Sequence, residues 1–349
     1  MHLARRLAER GAEAELWESK RDVSEGADRA SGILSISGLK KVGLDYEDSK
    51  VNTLHGAYLV AGKEKLKIRS KSPIAHVLDR KMLARSCERA ARKAGARIIL
   101  GKRIGRAELL ELGKDKTNTI VGSDGAVSTV ASAFKFPAIK DYVLTYKAEF
   151  EAENLEDTGM VGLYFSKEFA KGLFGWHVPY SKGVVELGLG IDQRARTTSS
   201  AAFRAFMQSD SANSVVKTRG AALSQHASMI PISTRSQTAR GNVALVGDAA
   251  GQVKATTGGG IIYGCLCAET LAKTISEGRP LTEYERKWRS AYGRDLGLHR
   301  IAHSYYSGAN LQRTFKILRM LGMDGFLGKY GDMDSPSLML KRFLLRGLS

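Results

Sequence analysis

Residues 241–271 read Gly-Asn-Val-Ala-Leu-Val-Gly-Asp-Ala-Ala-Gly-Gln-Val-Lys-Ala-Thr-Thr-Gly-Gly-Gly-Ile-Ile-Tyr-Gly-Cys-Leu-Cys-Ala-Glu-Thr-Leu. Val243, Ala244, Leu245 and Val246 form a short apolar run between glycines, which predicts a buried parallel strand ending at Gly247 and Asp248. Ligands of open α/β sheets sit at such strand ends. Ile261, Ile262, Leu266, Ala268 and Leu271 then predict a helix that opens near Thr257-Gly258-Gly259-Gly260. Three glycines in a row let backbone N–H groups approach a ligand with no Cβ in the way, at the positive end of a helix dipole. The acid and the helix start make a pincer. One arm accepts hydrogen bonds from a polyol hydroxyl, and the other stabilises negative charge on a ring carbonyl.

Working outward, the same logic recurs twice. Leu3, Ala4, Leu7 and Ala8 share one face of an opening helix, Gly11 stops it, and Ala12 to Trp17 read as a strand tipped by Glu18. In a dinucleotide-binding βαβ unit an acid about 20 residues after the glycine fingerprint takes the ribose hydroxyls, and Glu18 is in that place. Counting back puts the first strand and its Gly-x-Gly-x-x-Gly turn before Met1, so the expectation is a Rossmann-like domain lacking its first strand, from an N-terminally truncated gene product or a misplaced start. Thr119 to Ser128 form the second echo, a β-branched strand followed by Asp124-Gly125 and a small-residue helix start. An Asp-Gly pair also marks ordinary turns, so its position between Glu18 and Gly247-Asp248 carries the reading. Arg97 to Leu100 add a strand, after a helix from Lys81 to Ala94 with Leu83, Cys87, Ala90 and Ala91 inward.

The fold class is mixed α/β: residues 1–141 and 229–278 make the dinucleotide domain, with inserted antiparallel strands at about 51–76 from Val51 to Val60 and Lys63 to Arg69. Residues 142–228 make an antiparallel substrate domain, with strands at Val143 to Phe150, Met160 to Phe165, Gly175 to Tyr180 and Val184 to Ile191 and a helix at Thr198 to Gln208. Residues 279–349 make a helical region in which Tyr284, Trp288 and Tyr292 share a face and Phe315, Leu318, Leu321 and Phe326 form an apolar stripe. His299 and His303 lie one turn apart with no third ligand in sight, so they are read as packing or surface residues and no metal site is expected. Cys87, Cys265 and Cys267 lack the spacing of redox or zinc pairs and are read as small buried helix residues.

A chain of 349 residues with 43% hydrophobic content suits one large or two intimate soluble domains. No apolar run reaches the ~20 residues of a membrane span and no signal-peptide core is present, so the expected location is cytoplasmic. Lys and Arg number 54 against 36 Asp and Glu, a net charge of +18 that favours anionic partners. The cations are scattered and no nucleic-acid signature accompanies them, so contact with an anionic membrane at its inner face is preferred to nucleic acid, and a plainly solvated basic surface is an equal reading. The tail from Leu338 to Leu348, with Lys341, Arg342 and Arg346, reads either as a helix lying on a bilayer or as one docked in the core. Oligomeric state is not legible.

The 241–271 stretch resembles the second flavin-contacting motif of FAD-dependent oxidoreductases with the para-hydroxybenzoate hydroxylase fold, and Ala255 to Gly264 are most similar to the geranylgeranyl reductase branch. The resemblance implies FAD as cofactor, with Gly247 and Asp248 at the ribitol and Gly258, Gly259, Gly260 and Ile261 against the isoalloxazine. It implies that Arg80 reaches the cofactor and that Asp124-Gly125 lie near the pyrophosphate. In the Arg29-Ala30-Ser31-Gly32 loop, Ser31-Gly32 stands where the family often carries Cys-Gly, so only backbone contact by Arg29, Ala30 and Gly32 is carried over. Phe174-Gly175-Trp176-His177-Val178-Pro179 resembles the family's aromatic-x-Trp-x-Phe-Pro motif with Val178 for Phe, implying that Phe174, Trp176 and Pro179 wall an isoprenoid tail; half-buried packing under the sheet is the other reading. Such a tail binds by apolar burial at ~0.8 kcal/mol per methylene.

The implied activity is saturation of C=C bonds in geranylgeranyl chains, on an archaeal-type glycerophospholipid, with NAD(P)H or reduced ferredoxin as electron donor. His177 and Tyr263 are the candidate proton donors, beside water and the flavin itself. The alternatives are a flavin monooxygenase or halogenase on the same fold, and a truncated remnant that holds no cofactor.

Overall fold

The computed structural model describes residues 1–153, 155, 157–181, 183–210, 218–308 and 310–346. The chain opens with helix α1 (His2–Ala8), strands β1 (Glu15–Glu18) and β2 (Ile33–Ser35), helix α2 (Ile36–Val42) and strands β3 (Lys50–Leu54), β4 (Gly56–Ala61), β5 (Glu64–Arg69) and β6 (Ala75–Leu78). Helix α3 (Arg80–Lys93), β7 (Arg97–Leu100), α4 (Arg106–Leu112), β8 (Ile120–Gly122) and α5 (Thr129–Ala133) follow. Next come β9 (Tyr142–Ala152), β10 (Met160–Phe165), β11 (Gly172–Ser181), β12 (Val184–Asp192), helix α6 (Ser199–Met207), β13 (Thr218–Pro231), β14 (Ala239–Arg240) and β15 (Val243–Leu245). Five helices close the chain: α7 (Ile261–Ser276), α8 (Leu281–Gly308), α9 (Leu311–Met320), α10 (Met323–Tyr330) and α11 (Pro336–Arg346).

The parallel strands form two half-sheets. β1 pairs with β7 from Glu15↔Arg97 to Glu18↔Leu100, and β8 pairs with β15 from Ile120↔Val243 to Gly122↔Leu245. Helix α1 bridges them: Ala4 packs with Ala91 and Ile98, while Leu3 packs against the cluster of Ala244, Val246, Tyr263 and Leu271.

The stretch expected to hold one inserted sheet is divided between two. His55 breaks the strand expected from Val51 to Val60, its N–H donating to the Gly159 carbonyl and its own carbonyl accepting from Ser70. β3 joins β6 and β2, whereas β4 and β5 extend the sheet of order β13-β9-β12-β11-β10-β4-β5, with β4 running parallel to β10. This seven-stranded sheet has two unlike faces because side chains alternate along each strand. Val185, Leu187, Leu189 and Ile191 of β12 pack under Phe203 and Phe206 of α6. Phe174 and Trp176 of β11 face the other way, toward Ile232 and Ala255 of the flavin-motif half.

Helix α8 clamps β15 from behind. Tyr284 and Trp288 are fully buried; the Tyr284 hydroxyl donates to the Leu245 carbonyl at 2.8 Å, and Trp288 Nε1 donates to Thr238 Oγ1 at 2.9 Å. His299 and His303 are buried and hydrogen-bonded to Thr256 Oγ1 and the Gly172 carbonyl respectively. Two expectations change. Leu321 is 68% exposed although Phe315 and Phe326 are buried, because α9 ends at Met320 and Gly322, at φ +63°, turns the chain out of the helical period. In α3 the inward positions are Leu83, Ser86 and Ala91, with Cys87 only half-buried. Residues 347 and 348 of the expected tail lie outside the described residues.

Trp288→Ala removes a fully buried ring and a hydrogen bond, so stability is expected to fall by about 3–5 kcal/mol, read as an earlier urea-unfolding midpoint.

Candidate functional site

Strand β15 delivers Gly247 at φ +67°, and a tight turn over Gly247–Ala250 carries Asp248 to the start of α7. A Cβ on Gly260 would lie 2.7 Å from Asp248 Oδ1, and one on Gly264 would lie 3.4 Å from the Gly247 Cα, so strand end and helix start touch. Gly260 is the N-cap of α7 and has no side chain with which to cap it, which leaves the first-turn N–H groups open to a ligand. Gly258, at φ +71°, makes the turn that brings them there.

Burial pushes the Asp248 carboxyl above its usual range, and the positive field of Arg80 opposes the shift. Arg80 opens α3, whose N-cap Asp79 accepts from the N–H groups of Lys81 and Met82 at 2.8 and 3.0 Å. Burial lowers the Arg80 pKa, and its Nε donates to the Ala27 carbonyl at 3.5 Å. The loop beyond that carbonyl is sewn to β6. Gly32 accepts from the Leu78 N–H at 2.9 Å, and a Cβ there would sit 2.0 Å from the Leu78 oxygen. Arg29 ends a short turn at Ala27–Arg29, its carbonyl accepting from Ser228 Oγ at 3.4 Å, and Ala30 continues in extended conformation at the surface.

Glu18 and Asp124 stand at the carboxyl ends of their strands. Glu18 Oε1 accepts from the Lys20 N–H at 3.0 Å. The Gly122↔Leu245 register puts Asp124 at the same end as Asp248, but its carboxylate is engaged in capping α5, accepting from the Thr129 and Val130 N–H groups at 2.6 and 3.1 Å and from Ser128 Oγ at 2.6 Å. Gly125, at φ +85°, leaves open space where a side chain would be.

On the sheet face above, Phe174 is a core residue packed among Val143, Leu173, Ile232 and Ala255, whereas Pro179, expected beside Trp176, is buried on the other face, opposite Val185 and on the side of His177. Trp176 keeps partial exposure, and its Nε1 donates to Glu186 Oε1 at 2.8 Å. Lys147 Nζ donates to Glu186 Oε2 at 2.7 Å, and Ser31 Oγ donates to Oε1. Lys147 and Glu186 are 3% and 0% exposed, so this is a buried ion pair that ties the 29–32 loop to the sheet. Sequence reasoning missed it. A charged residue at each of two otherwise apolar strand positions was the available signal, since such residues are buried only when paired.

The two candidate proton donors are placed elsewhere. His177 follows Trp176 and so points to the opposite face, bonded to the Tyr164 hydroxyl at 2.8 Å, with burial pushing its pKa down to about 4. The Tyr263 hydroxyl donates to the Asp334 carbonyl inside the core, where burial raises its pKa. Asp334 also pairs with Lys254 Nζ at 2.5 Å and accepts from Ser35 Oγ, and it too went unnoticed in the sequence.

A glycine cradle that a Cβ would fill, a half-buried acid and a half-buried arginine converge as a flavin nucleotide requires, and the residues present fit that group. Together with the large sheet over them they give the two-part fold that FAD-binding oxidoreductases share. No family model matches the chain. A digeranylgeranylglycerophospholipid reductase of Methanocaldococcus jannaschii is 27% identical over 321 residues, covering 84% of this chain and 80% of its own, and further archaeal proteins of that name match. A geranylgeranyl bacteriochlorophyll reductase-like structure from Thermoplasma acidophilum superposes with a TM-score of 0.78 at 17% identity, covering 97% of this chain and 91% of its own. A flavin-dependent brominase shares the fold at a TM-score of 0.70 and 14% identity, over 99% and 96% of the two chains. Over most of its length the chain is thus similar to archaeal digeranylgeranylglycerophospholipid reductases, and it shares the fold of FAD-binding oxidoreductases.

Two outcomes follow from these carboxylates. Because the folded Asp248 pKa is raised, its contribution to stability is full below the ordinary carboxylate range and is lost as pH rises through the folded value. Flavin-free Asp248→Asn is therefore expected to melt higher than the parent at neutral pH, with the gap closing on acidification; a pH-independent gap in a melting series contradicts this. Glu186→Gln leaves Lys147 facing only Glu149, at 3.4 Å, and is expected to cost about 3–5 kcal/mol in denaturant unfolding.

Proposed function

We propose that this chain is an FAD-dependent reductase that saturates C=C bonds in the geranylgeranyl chains of an archaeal-type glycerophospholipid. The observation that carries the cofactor is the approach of Asp248 to Gly260, which only a glycine permits. The names of the archaeal relatives support the substrate class. Asp248 would hold the ribitol, with the Gly258 to Ile261 backbone at the isoalloxazine, Arg80 and Gly125 toward the pyrophosphate, Arg29, Ala30 and Gly32 beside the ring and Glu18 at the ribose. When bound, FAD supplies the two-electron chemistry, recharged by NAD(P)H or reduced ferredoxin.

The protein's own residues orient the substrate and handle charge. The α7 N-terminus stabilises an anion at the ring, in a setting that excludes water. Trp176, fixed by Glu186, offers the apolar wall for the prenyl chain. Ser31, Glu186 and Lys147 form a hydrogen-bonded network on that wall's face, while His177 points to the other face and Tyr263 is bonded inside the core.

The test is anaerobic. Purified chain given FAD should keep a yellow flavin through gel filtration before reductant is added, and with reductant and a digeranylgeranyl lipid the lipid should gain one H2 per double bond by mass spectrometry. Trp176→Ala is expected to lower kcat/KM about tenfold or more while flavin absorbance is kept, from lost apolar contact with the substrate. A colourless chain that refuses FAD, or product that forms only with oxygen, overturns the assignment.

A further inference from the structure

Ten of the fifteen exposed large apolar residues among those described lie between Ile301 and Leu345, a concentration that scattered surface hydrophobics do not produce. Helix α9 buries Phe315 and turns Ile317 and Met320 outward, 46% and 77% exposed. Arg313, Lys316, Ile317 and Met320 follow the i, i+3, i+4, i+7 spacing and share one helix face. Helix α11 repeats the arrangement with Lys341, Leu344 and Leu345, the two leucines 61% and 55% exposed, while Phe343 packs edge-on against Phe326 of α10. Neither helix contains an Asp or a Glu. Exposed apolar side chains interleaved with cations are the composition of a helix that lies in a headgroup layer, and no described helix is long and apolar enough to cross one.

The face also connects inward. Phe315 meets Phe165 at 5.6 Å between centroids, Phe165 meets Phe174 at 5.5 Å, and Phe174 meets Trp176 at 6.2 Å. A line of aromatic rings thus runs from the buried side of α9, beneath the exposed face, to the Trp176 wall.

We infer that α9 and α11 form a docking face for an anionic lipid bilayer, which brings a membrane-resident prenyl chain to the sheet. The commitment to lipid rests on charge complementarity and on that aromatic line. The docking face stands on these observations alone, while its delivery of a prenyl chain rests on the proposed function.

The full chain with FAD is sedimented with phosphatidylglycerol vesicles and with phosphatidylcholine vesicles. Binding is expected to the anionic vesicles, to weaken in high salt, and to be slight for the zwitterionic ones. Met320→Asp with Leu344→Asp should cut the bound fraction about tenfold, and Lys316→Glu with Lys341→Glu should do so without touching an apolar contact. Flavin absorbance and circular dichroism check that each variant is folded, and turnover of a detergent-dispersed prenyl alcohol should be unchanged. Failure of that turnover in the parent chain counts against the reductase reading alone. Absence of binding to anionic vesicles, binding indifferent to both variants, or a variant that converts a dimer to a monomer in size-exclusion chromatography overturns the docking face.

Discussion

A carboxylate held out of water beside a stretch of backbone that has no side chains is the constraint on which the rest of the structure depends. Asp248 carries a desolvation cost that its surroundings offset only in part, through the field of Arg80. The arrangement persists because β15 and α7 are fixed on both sides: α8 reaches the β15 backbone through Tyr284, and α1, α2 and α3 pack against α7 or its neighbours. The glycines supply the approach, and the packed shell prevents it from relaxing. Buried acids that are expensive to keep are a common mark of sites built to receive something.

A second buried charge sets the relation between the two halves of the molecule. Glu186 receives a donor from β9, one from β11 and one from the 29–32 loop, so a single carboxylate fixes the large sheet against the loop that borders the cradle. Removing any one donor leaves an uncompensated lone pair in a dry setting, which costs more than the bond itself contributes. Trp176 is therefore held by its indole nitrogen as well as by its ring.

The cradle was legible in the sequence because its signals are local: short apolar strands, acids at their ends, glycines at the next helix start. The long alternating strands of the large sheet were legible for the same reason. The placement of β4 and β5 was not, since a parallel pairing of Gly56–Ala61 with Met160–Phe165 joins segments about 100 residues apart and leaves no trace in either one. The bond from Ser31 to Glu186 spans 155 positions and was equally silent. Two further placements were legible on local grounds. His177 sits next to Trp176 on one strand, and period-two alternation already puts the two on opposite faces. Asp124 precedes Ser128 and Thr129, a spacing that suits a helix cap as well as a ligand.

The tie at Asp334 has a consequence for how the chain reaches this state. Its carboxylate joins Ser35 and Lys254 and its carbonyl receives Tyr263, partners 299, 80 and 71 positions away along the polypeptide. Contacts of such span form late in a folding reaction, because the entropy of closing the intervening loops is lost before any bond returns it. Until that closure Lys254 is a cation with no buried counter-ion, and the cradle's floor stays hydrated and loose. Closing the ground beneath the glycines is thus expected to wait on the longest loop closures in the polypeptide.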